Sequence, residues 1–236
     1  MLSDLLYSLK ETEFFFNLFG YISFRSGLSL VTSFFIVIIL MPHWIRFQKS
    51  IFPSGQPIRN DGPDTHYRKK GTPTLGGVLI LFSIILSSIL WTSNFSSFNY
   101  ILILTLTLFG LIGLVDDFHK VKLGKGISSK TKFLSQLLAT LIIYFTIKYN
   151  GFDLNKFSIP FLKDVSIELG YLYFVLILLI VVGSTNATNL TDGLDGLVSM
   201  PLIFVFLTFA IFAYVLGNIN FSDYLLVNYM KGSGEI

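Results

Sequence analysis

Two adjacent carboxylates, Asp116 and Asp117, close an uncharged run that reaches back to Gly71, and Lys120, Lys122, Lys125, Lys130 and Lys132 follow within sixteen residues. Acids interleaved with lysines suit a site that holds Mg²⁺ and phosphate together. Carboxylates bind the hard cation, while lysines and the metal neutralise phosphate oxygens. The bland alternative is a pair of acids resting at a water interface. Their position weakens it, because acids at a helix C-terminus oppose the helix dipole and are repelled by an anionic leaflet.

A second group of oxygen donors lies in "GSTNATNLTDGLDGL" (Gly183 to Leu197), where Asn189, Asp192 and Asp195 recur at intervals of three and no Lys or Arg is present. On a helix that spacing keeps neighbouring members on adjacent parts of one face, presenting an amide and two carboxylates to one ligand. An Asx-rich turn between two spans is the structural alternative. A third group is basic: "SGQPIRNDGPDTHYRKKGTPTLGG" (Ser54 to Gly77) carries Arg68, Lys69 and Lys70 just before an apolar run. Such a loop can bring cations and backbone N–H groups to an anion at a helix N-terminus. It can equally be a basic cluster on lipid headgroups. His43 and His119 are expected to pack near helix ends, and His66 sits in the basic loop where it could contact an anion.

The elements that position these groups are membrane spans. Of the 236 residues 53% are hydrophobic and only 13% charged, and the mean hydropathy is +0.70, which excludes an ordinary water-soluble surface. The fold class expected is an all-α integral membrane protein. With no cysteine in the chain, disulfides, thiolate metal sites and a cysteine nucleophile are excluded. A span needs about 20 apolar residues, and the stretches between charged residues give six, near 27–45, 74–92, 98–115, 131–149, 169–187 and 198–217. Together they form a single polytopic membrane domain over residues 1–236. Eleven of the 17 Lys and Arg fall in the first and third loops, so that face is expected to be cytoplasmic and both termini extracytoplasmic. The N-terminal stretch lacks a basic region before its aromatic cluster, so no cleaved signal peptide is expected. All three donor groups fall on the face expected to be cytoplasmic, and hydropathy alone, which places the spans, does not require that.

These motifs resemble one family. "GQPIRNDGPDTHYRKKGTPTLGG", "GLVDDFHKV" with "SSKTKFLSQ" downstream, and "GSTNATNLTDGLDGL" are similar, in order and separation, to the phospho-N-acetylmuramoyl-pentapeptide transferases. These belong to the polyprenyl-phosphate N-acetylhexosamine-1-phosphate transferase superfamily within the glycosyltransferase 4 family. The resemblance implies transfer of phospho-MurNAc-pentapeptide from UDP-MurNAc-pentapeptide to undecaprenyl phosphate, forming lipid I and UMP with Mg²⁺ in peptidoglycan synthesis. That places the protein in cell wall biogenesis, cell shape and cell division, in a bacterial inner membrane with the active site facing the cytoplasm.

By the same resemblance, Asp116 and Asp117 are the catalytic acids. Lys69, Lys120 and Lys132 screen the approaching phosphates, and Asp192 and Asp195 line the nucleotide region. Asn189 and Asp117 are the metal ligands. Membrane lipids and a homodimer are the further partners considered, and no nucleic acid is implied. Competing readings are a sister enzyme moving GlcNAc-1-phosphate, an ion-coupled transporter, and a non-catalytic membrane scaffold. The transporter would place its acids near the bilayer midplane.

Family members have about ten spans, and the later ones carry a further acidic motif and a histidine-rich loop that are absent from these 236 residues. The chain is therefore expected to be a fragment lacking the C-terminal part. Purified residues 1–236 are expected to show little or no transferase activity; wild-type-like release of UMP from UDP-MurNAc-pentapeptide would refute this.

Overall fold

The computed structural model describes residues 1–53, 73–159, 165–192 and 196–235. Its elements are almost all helical, as the apolar runs require: α1 (Leu2–Ser8), α2 (Ile22–Ile51), α3 (Gly76–Trp91), α4 (Ser97–Leu123), α5 (Ser129–Tyr149), α6 (Leu172–Thr191), α7 (Ser199–Leu216) and α8 (Ile219–Tyr224). Among the described residues α2, α4, α6 and α7 are long and apolar enough to cross a membrane, and α3 is a shorter apolar helix. This is an all-α membrane protein. In lipid every backbone polar group must be satisfied within its own segment, which helices achieve.

Among the described residues the strands form one short antiparallel hairpin, β1 (Lys156–Ser158) with β2 (Ser166–Glu168), pairing Lys156 with Glu168 and Phe157 with Ile167. It lies between the spans expected near 131–149 and 169–187, where the sequence pattern predicts no strand. Three-residue strands alternate too briefly to give a period-2 signal.

The described residues fall into two compact units. The first comprises Met1–Ser93 with Thr105–Ser135, the second Asn94–Leu104 with Gln136–Ile236. In the first, α2 and α3 pack through small polar side chains as well as through aromatics. Ser33 Oγ and Ser83 Oγ lie 3.1 Å apart, and the Trp91 indole N–H donates to Thr32 Oγ1 at 2.9 Å. At the other end of the pair the Trp44 indole N–H donates to the Leu75 carbonyl at 3.0 Å. Phe19, in the 3₁₀ turn Phe14–Gly20, stacks on Trp91 with centroids 6.0 Å apart. The Ser3 hydroxyl donates to the Thr92 carbonyl at 3.1 Å, seating the N-terminal segment against the end of α3.

Burial is inverted relative to a water-soluble protein. The most completely enclosed side chains are Gln136, Thr140, Ser3, Ser83, Ser87 and Ser222, while Phe206 and Phe209 on α7 are 66% and 64% exposed. Hydroxyls reach their own helix's carbonyls: Ser87 bonds Ser83 O at 2.6 Å and Thr140 bonds Gln136 O at 2.8 Å. Each such bond removes an unsatisfied donor from an apolar surrounding.

The second unit is closed by a tight C-terminal turn. Met230 N–H donates to Leu216 O at 2.8 Å, Ser233 Oγ donates to Ala213 O at 3.0 Å, and Asn99 Nδ2 donates to Glu235 O at 2.9 Å. This turn passes so close to Gly217 that a Cβ there would lie 2.5 Å from the Gly234 nitrogen. Backbone cannot swing aside as a side chain can. Gly217→Ala is expected to cost about 1–3 kcal/mol in thermal or denaturant unfolding in detergent. Gly113→Ala, whose Cβ meets nothing within 4 Å inside α4, is expected to be neutral or stabilising by up to about 1 kcal/mol. Equal effects of the two would contradict the close turn.

Candidate active site

Helix α4 carries the site at its C-terminal end. Its uncharged part, from Ser97 to Val115, is about 28 Å long at 1.5 Å per residue, enough to fill a hydrocarbon core of about 30 Å. Asp116 to Leu123 form the two turns beyond it. The helix continues through the charged residues because leaving lipid does not itself break a helix. Gly124, with φ +77°, provides the left-handed residue that ends it.

Two acids at a helix C-terminus need cations, and the sequence supplies one at the right spacing. Lys120 is three residues from Asp117 and four from Asp116, so all three share a face. Its Nζ lies 2.8 Å from Asp116 Oδ2 and 2.8 Å from Asp117 Oδ1. Lys132, in the first turn of α5, stands 3.9 Å from Asp116 Oδ2. The remaining Asp116 oxygen, Oδ1, accepts the Ile127 backbone N–H at 3.0 Å. Asp116 is buried, whereas a third of the Asp117 side chain is open. The structure thus brings together Asp116, Asp117, Lys120 and Lys132, four of the residues singled out from the sequence.

The electrostatics follow from that geometry. Burial pushes the Asp116 carboxyl upward, but it is outweighed by the hydrogen bond and charge of Lys120, the Ile127 N–H and the charge of Lys132. The net result lies below the ordinary carboxylate value. Burial likewise pulls Lys120 down, and its bonds and charge interactions with Asp116 and Asp117 overcome it, holding the ammonium above its ordinary value. Asp116 and Lys120 thus stabilise each other as a carboxylate and an ammonium. Asp116 is accordingly a poor general base at neutral pH, since a base works best with a pKa near the operating pH.

The donor set is compatible with Mg²⁺. No group of three or more His, Cys, Asp or Glu gathers among the described residues. Mg²⁺ is, however, commonly held by one or two carboxylates with water and substrate phosphate oxygens completing the shell. Asp116 and Asp117 converge on one point, the Lys120 ammonium, which shows that both can face a single cation.

The other sequence-predicted residues, apart from His43 and His119 in the first unit, divide between the second unit and the undescribed stretches. Asn189 is exposed in the last turn of α6. Asp192 is that helix's C-cap, its N–H donating to Thr188 O at 3.2 Å. The helix ends at Thr191, so the three-residue spacing holds as helix from Asn189 only to its cap. A carboxylate at that end is unfavourable beside the dipole and favours a cationic ligand. Lys69, Asp195 and His66 lie outside the described residues. The His43 ring contacts its own helix, Nδ1 lying 3.2 Å from Ile39 O, and is exposed rather than packed among the described residues.

Two features escaped the sequence reading. Asn186, inside the "GSTNATNLTDGLDGL" motif, donates from Nδ2 to Gln136 Oε1 and to Val182 O, each at 2.9 Å, tying α6 to α5. An Asn and a Gln inside apolar helices were the available signal, because such side chains must find partners in lipid. The Ile127 N–H left no signal, since every residue but proline carries one.

Comparison with known proteins adds an independent line. The profile of Glycosyl transferase family 4 matches residues 99–232, a range that contains Asp116, Asp117, Lys120, Lys132, Asn189, Asp192 and Asp195. Three similar proteins, each named phospho-N-acetylmuramoyl-pentapeptide-transferase, come from Rickettsia prowazekii (strain Madrid E), 40% identical over 239 residues, Desulfotalea psychrophila, 41% over 239, and Rickettsia felis, 40% over 241. All of this chain is covered in each alignment, and it spans 66% of the length of each of these relatives.

Because Asp116 is held ionised by its partners, its stabilising contribution is present above the unfolded carboxylate range and is lost as pH falls through its lowered folded value. The difference in melting temperature between the parent chain and Asp116→Asn is therefore expected to be full at pH 6 and to shrink below about pH 4. A gap independent of pH would contradict the charged cluster.

Proposed function

The chain belongs to glycosyl transferase family 4, and on that premise we propose that it transfers phospho-MurNAc-pentapeptide from UDP-MurNAc-pentapeptide to undecaprenyl phosphate, giving lipid I and UMP. The observation that carries this reading is the Asp116, Lys120, Asp117 cluster with Lys132 beside it. It pairs hard oxygen donors for a divalent cation with ammonium groups for phosphates. The relatives' shared name and their similarity along this whole chain support the same substrates.

A lipid phosphate oxygen attacking a sugar-linked phosphate brings two anions together, so the site must screen charge and fix alignment. In this reading Lys132 and the Lys120 ammonium screen the incoming phosphates. Asp116 fixes Lys120, and the more open Asp117 is the carboxylate offered to Mg²⁺. The metal, when bound, supplies charge neutralisation at the phosphate oxygens and at the UMP leaving group. The lipid phosphate is already largely ionised near neutral pH, so attack needs no proton acceptor. With Asp116 Oδ1 engaged by the Ile127 N–H and Oδ2 by Lys120, this reading favours direct displacement over an aspartyl-phosphate intermediate.

Asn189 as a further metal ligand, and Lys69, Asp192 and Asp195 as substrate contacts, rest on the family resemblance. The polytopic arrangement with spans near 27–45, 74–92, 98–115, 131–149, 169–187 and 198–217, with extracytoplasmic termini and a site facing the cytoplasm, rests on hydropathy and the Lys/Arg bias, and the bacterial inner membrane on the resemblance. A homodimer is the assembly we would look for in native membranes.

The test measures Mg²⁺-dependent UMP release in membranes from cells expressing the protein from its native locus, with undecaprenyl phosphate supplied. UDP-MurNAc-pentapeptide is expected to support release and UDP-GlcNAc to fail. Asp117→Asn is expected to lower kcat by about 10²–10³-fold, the scale typical of losing one electrostatic group from a transfer site. Preferential use of UDP-GlcNAc would assign the chain to a sister activity, and full activity of the variant would remove Asp117 from the mechanism.

A further inference from the structure

Between the end of α4 at Leu123 and the start of α5 at Ser129 the chain reverses beside a buried carboxylate. Gly124, with φ +77°, serves the reversal through its backbone, and a Cβ there would meet nothing within 4 Å. Gly126 differs on both counts. Its φ is not in the left-handed region, yet a Cβ on it would lie 2.5 Å from Asp116 Oδ1, 3.3 Å from Asp116 Cγ and 3.3 Å from Lys120 Cε. Space, rather than torsion, demands glycine at this position. One residue further on, the Ile127 N–H donates to the same Oδ1 at 3.0 Å.

We propose that Gly126 is a positioning residue for Asp116. By presenting no side chain, it lets the Gly126–Ile127 peptide close on the carboxylate, so that the Ile127 N–H holds Oδ1 and leaves Oδ2 directed at Lys120 and Lys132. The terminal torsion of an aspartate is broad and roughly two-fold, so a carboxylate tied only to a flexible lysine would rotate. A backbone N–H in a short loop is a fixed donor, and pinning one oxygen fixes the other. A Cβ at position 126 forces a choice: the carboxylate turns away and loses the Ile127 bond, or the loop lifts. The charge pattern that depends on Asp116 then loses its geometry although every charged residue is still present. The functional meaning rests on the reading of Asp116 as part of a phosphoryl-transfer site; the geometry does not.

The experiment uses the 236-residue chain in detergent and reads the carboxylate directly. With [4-¹³C]aspartate, the Asp116 carboxylate stretch is identified by its loss in Asp116→Asn. Gly126→Ala is expected to shift that infrared band, and Gly124→Ala, which strains the loop without approaching Asp116, is expected to leave it in place. A band unmoved in Gly126→Ala, or moved equally in Gly124→Ala, overturns the proposal.

A thermal double-mutant cycle supplies the second reading. Gly126→Ala is expected to lower the melting midpoint by roughly 5 °C in the parent chain and by less than half as much when Asp116 is already alanine. Equal losses in both backgrounds overturn the proposal. If Gly126→Ala alone proves too unstable to purify, the proposal requires the Asp116→Ala, Gly126→Ala double variant to be purifiable, and its failure is equally decisive. Neither measurement involves transferase activity, so a different substrate for the family site would leave this result standing, and the reverse also holds.

Discussion

A chain whose outer surface meets lipid gains little by burying leucine or phenylalanine, because lipid is as apolar as they are. Cohesion must come from close packing and from polar groups that find each other. That constraint explains why the enclosed residues here are Ser83, Ser87, Gln136 and Thr140 while the phenylalanines of α7 face outward. It also fits the glycine at position 110, where the end of the Leu81 side chain occupies the space that a Cβ would take.

The same scarcity of polar groups sharpens the site. On a soluble protein an Asp, Asp, Lys cluster is one of many and is worth little. Here the cluster stands at the end of an uncharged helix, with α4 as a rigid mount. Two carboxylates are matched by Lys120 within α4 and by Lys132 from the next helix. Such a cluster is close to neutral as a group yet strongly polarised within. It can accept a divalent cation or a phosphate without first acquiring a large uncompensated charge.

Much of this was legible in the sequence, and what was not has physical reasons. Uncharged runs bounded by charged residues disclosed the helices, because in lipid hydropathy and helical structure are nearly the same requirement. The i,i+3 and i,i+4 relation of Asp117 and Asp116 to Lys120 follows from counting along a helix. Lys132 could be named from its motif, although its approach to Asp116 depends on how sharply the Gly124 to Ser128 segment turns. The Asn189, Asp192, Asp195 spacing suggested a continuous helical face, and α6 stops short of it. Helix ends are set by caps and loop geometry, which side-chain periodicity does not encode. The Ile127 N–H and the room left by Gly126 are backbone facts, visible only once the chain is folded.

The two indole hydrogen bonds between α2 and α3 run in opposite directions, from Trp44 to Leu75 and from Trp91 to Thr32. Along each helix the bonded positions are separated by about 18 Å in α2 and about 24 Å in α3 at 1.5 Å per residue. Greasy helix surfaces built of Leu, Ile and Phe offer many nearly equivalent registers, since sliding by one turn exchanges one apolar contact for another. A slide of about 5.4 Å would break both indole bonds together and strand two donors in or near hydrocarbon. Trp44 and Trp91 therefore act as a pair of dowels, one at each end of the hairpin of helices, that select a single alignment from a surface otherwise indifferent to it.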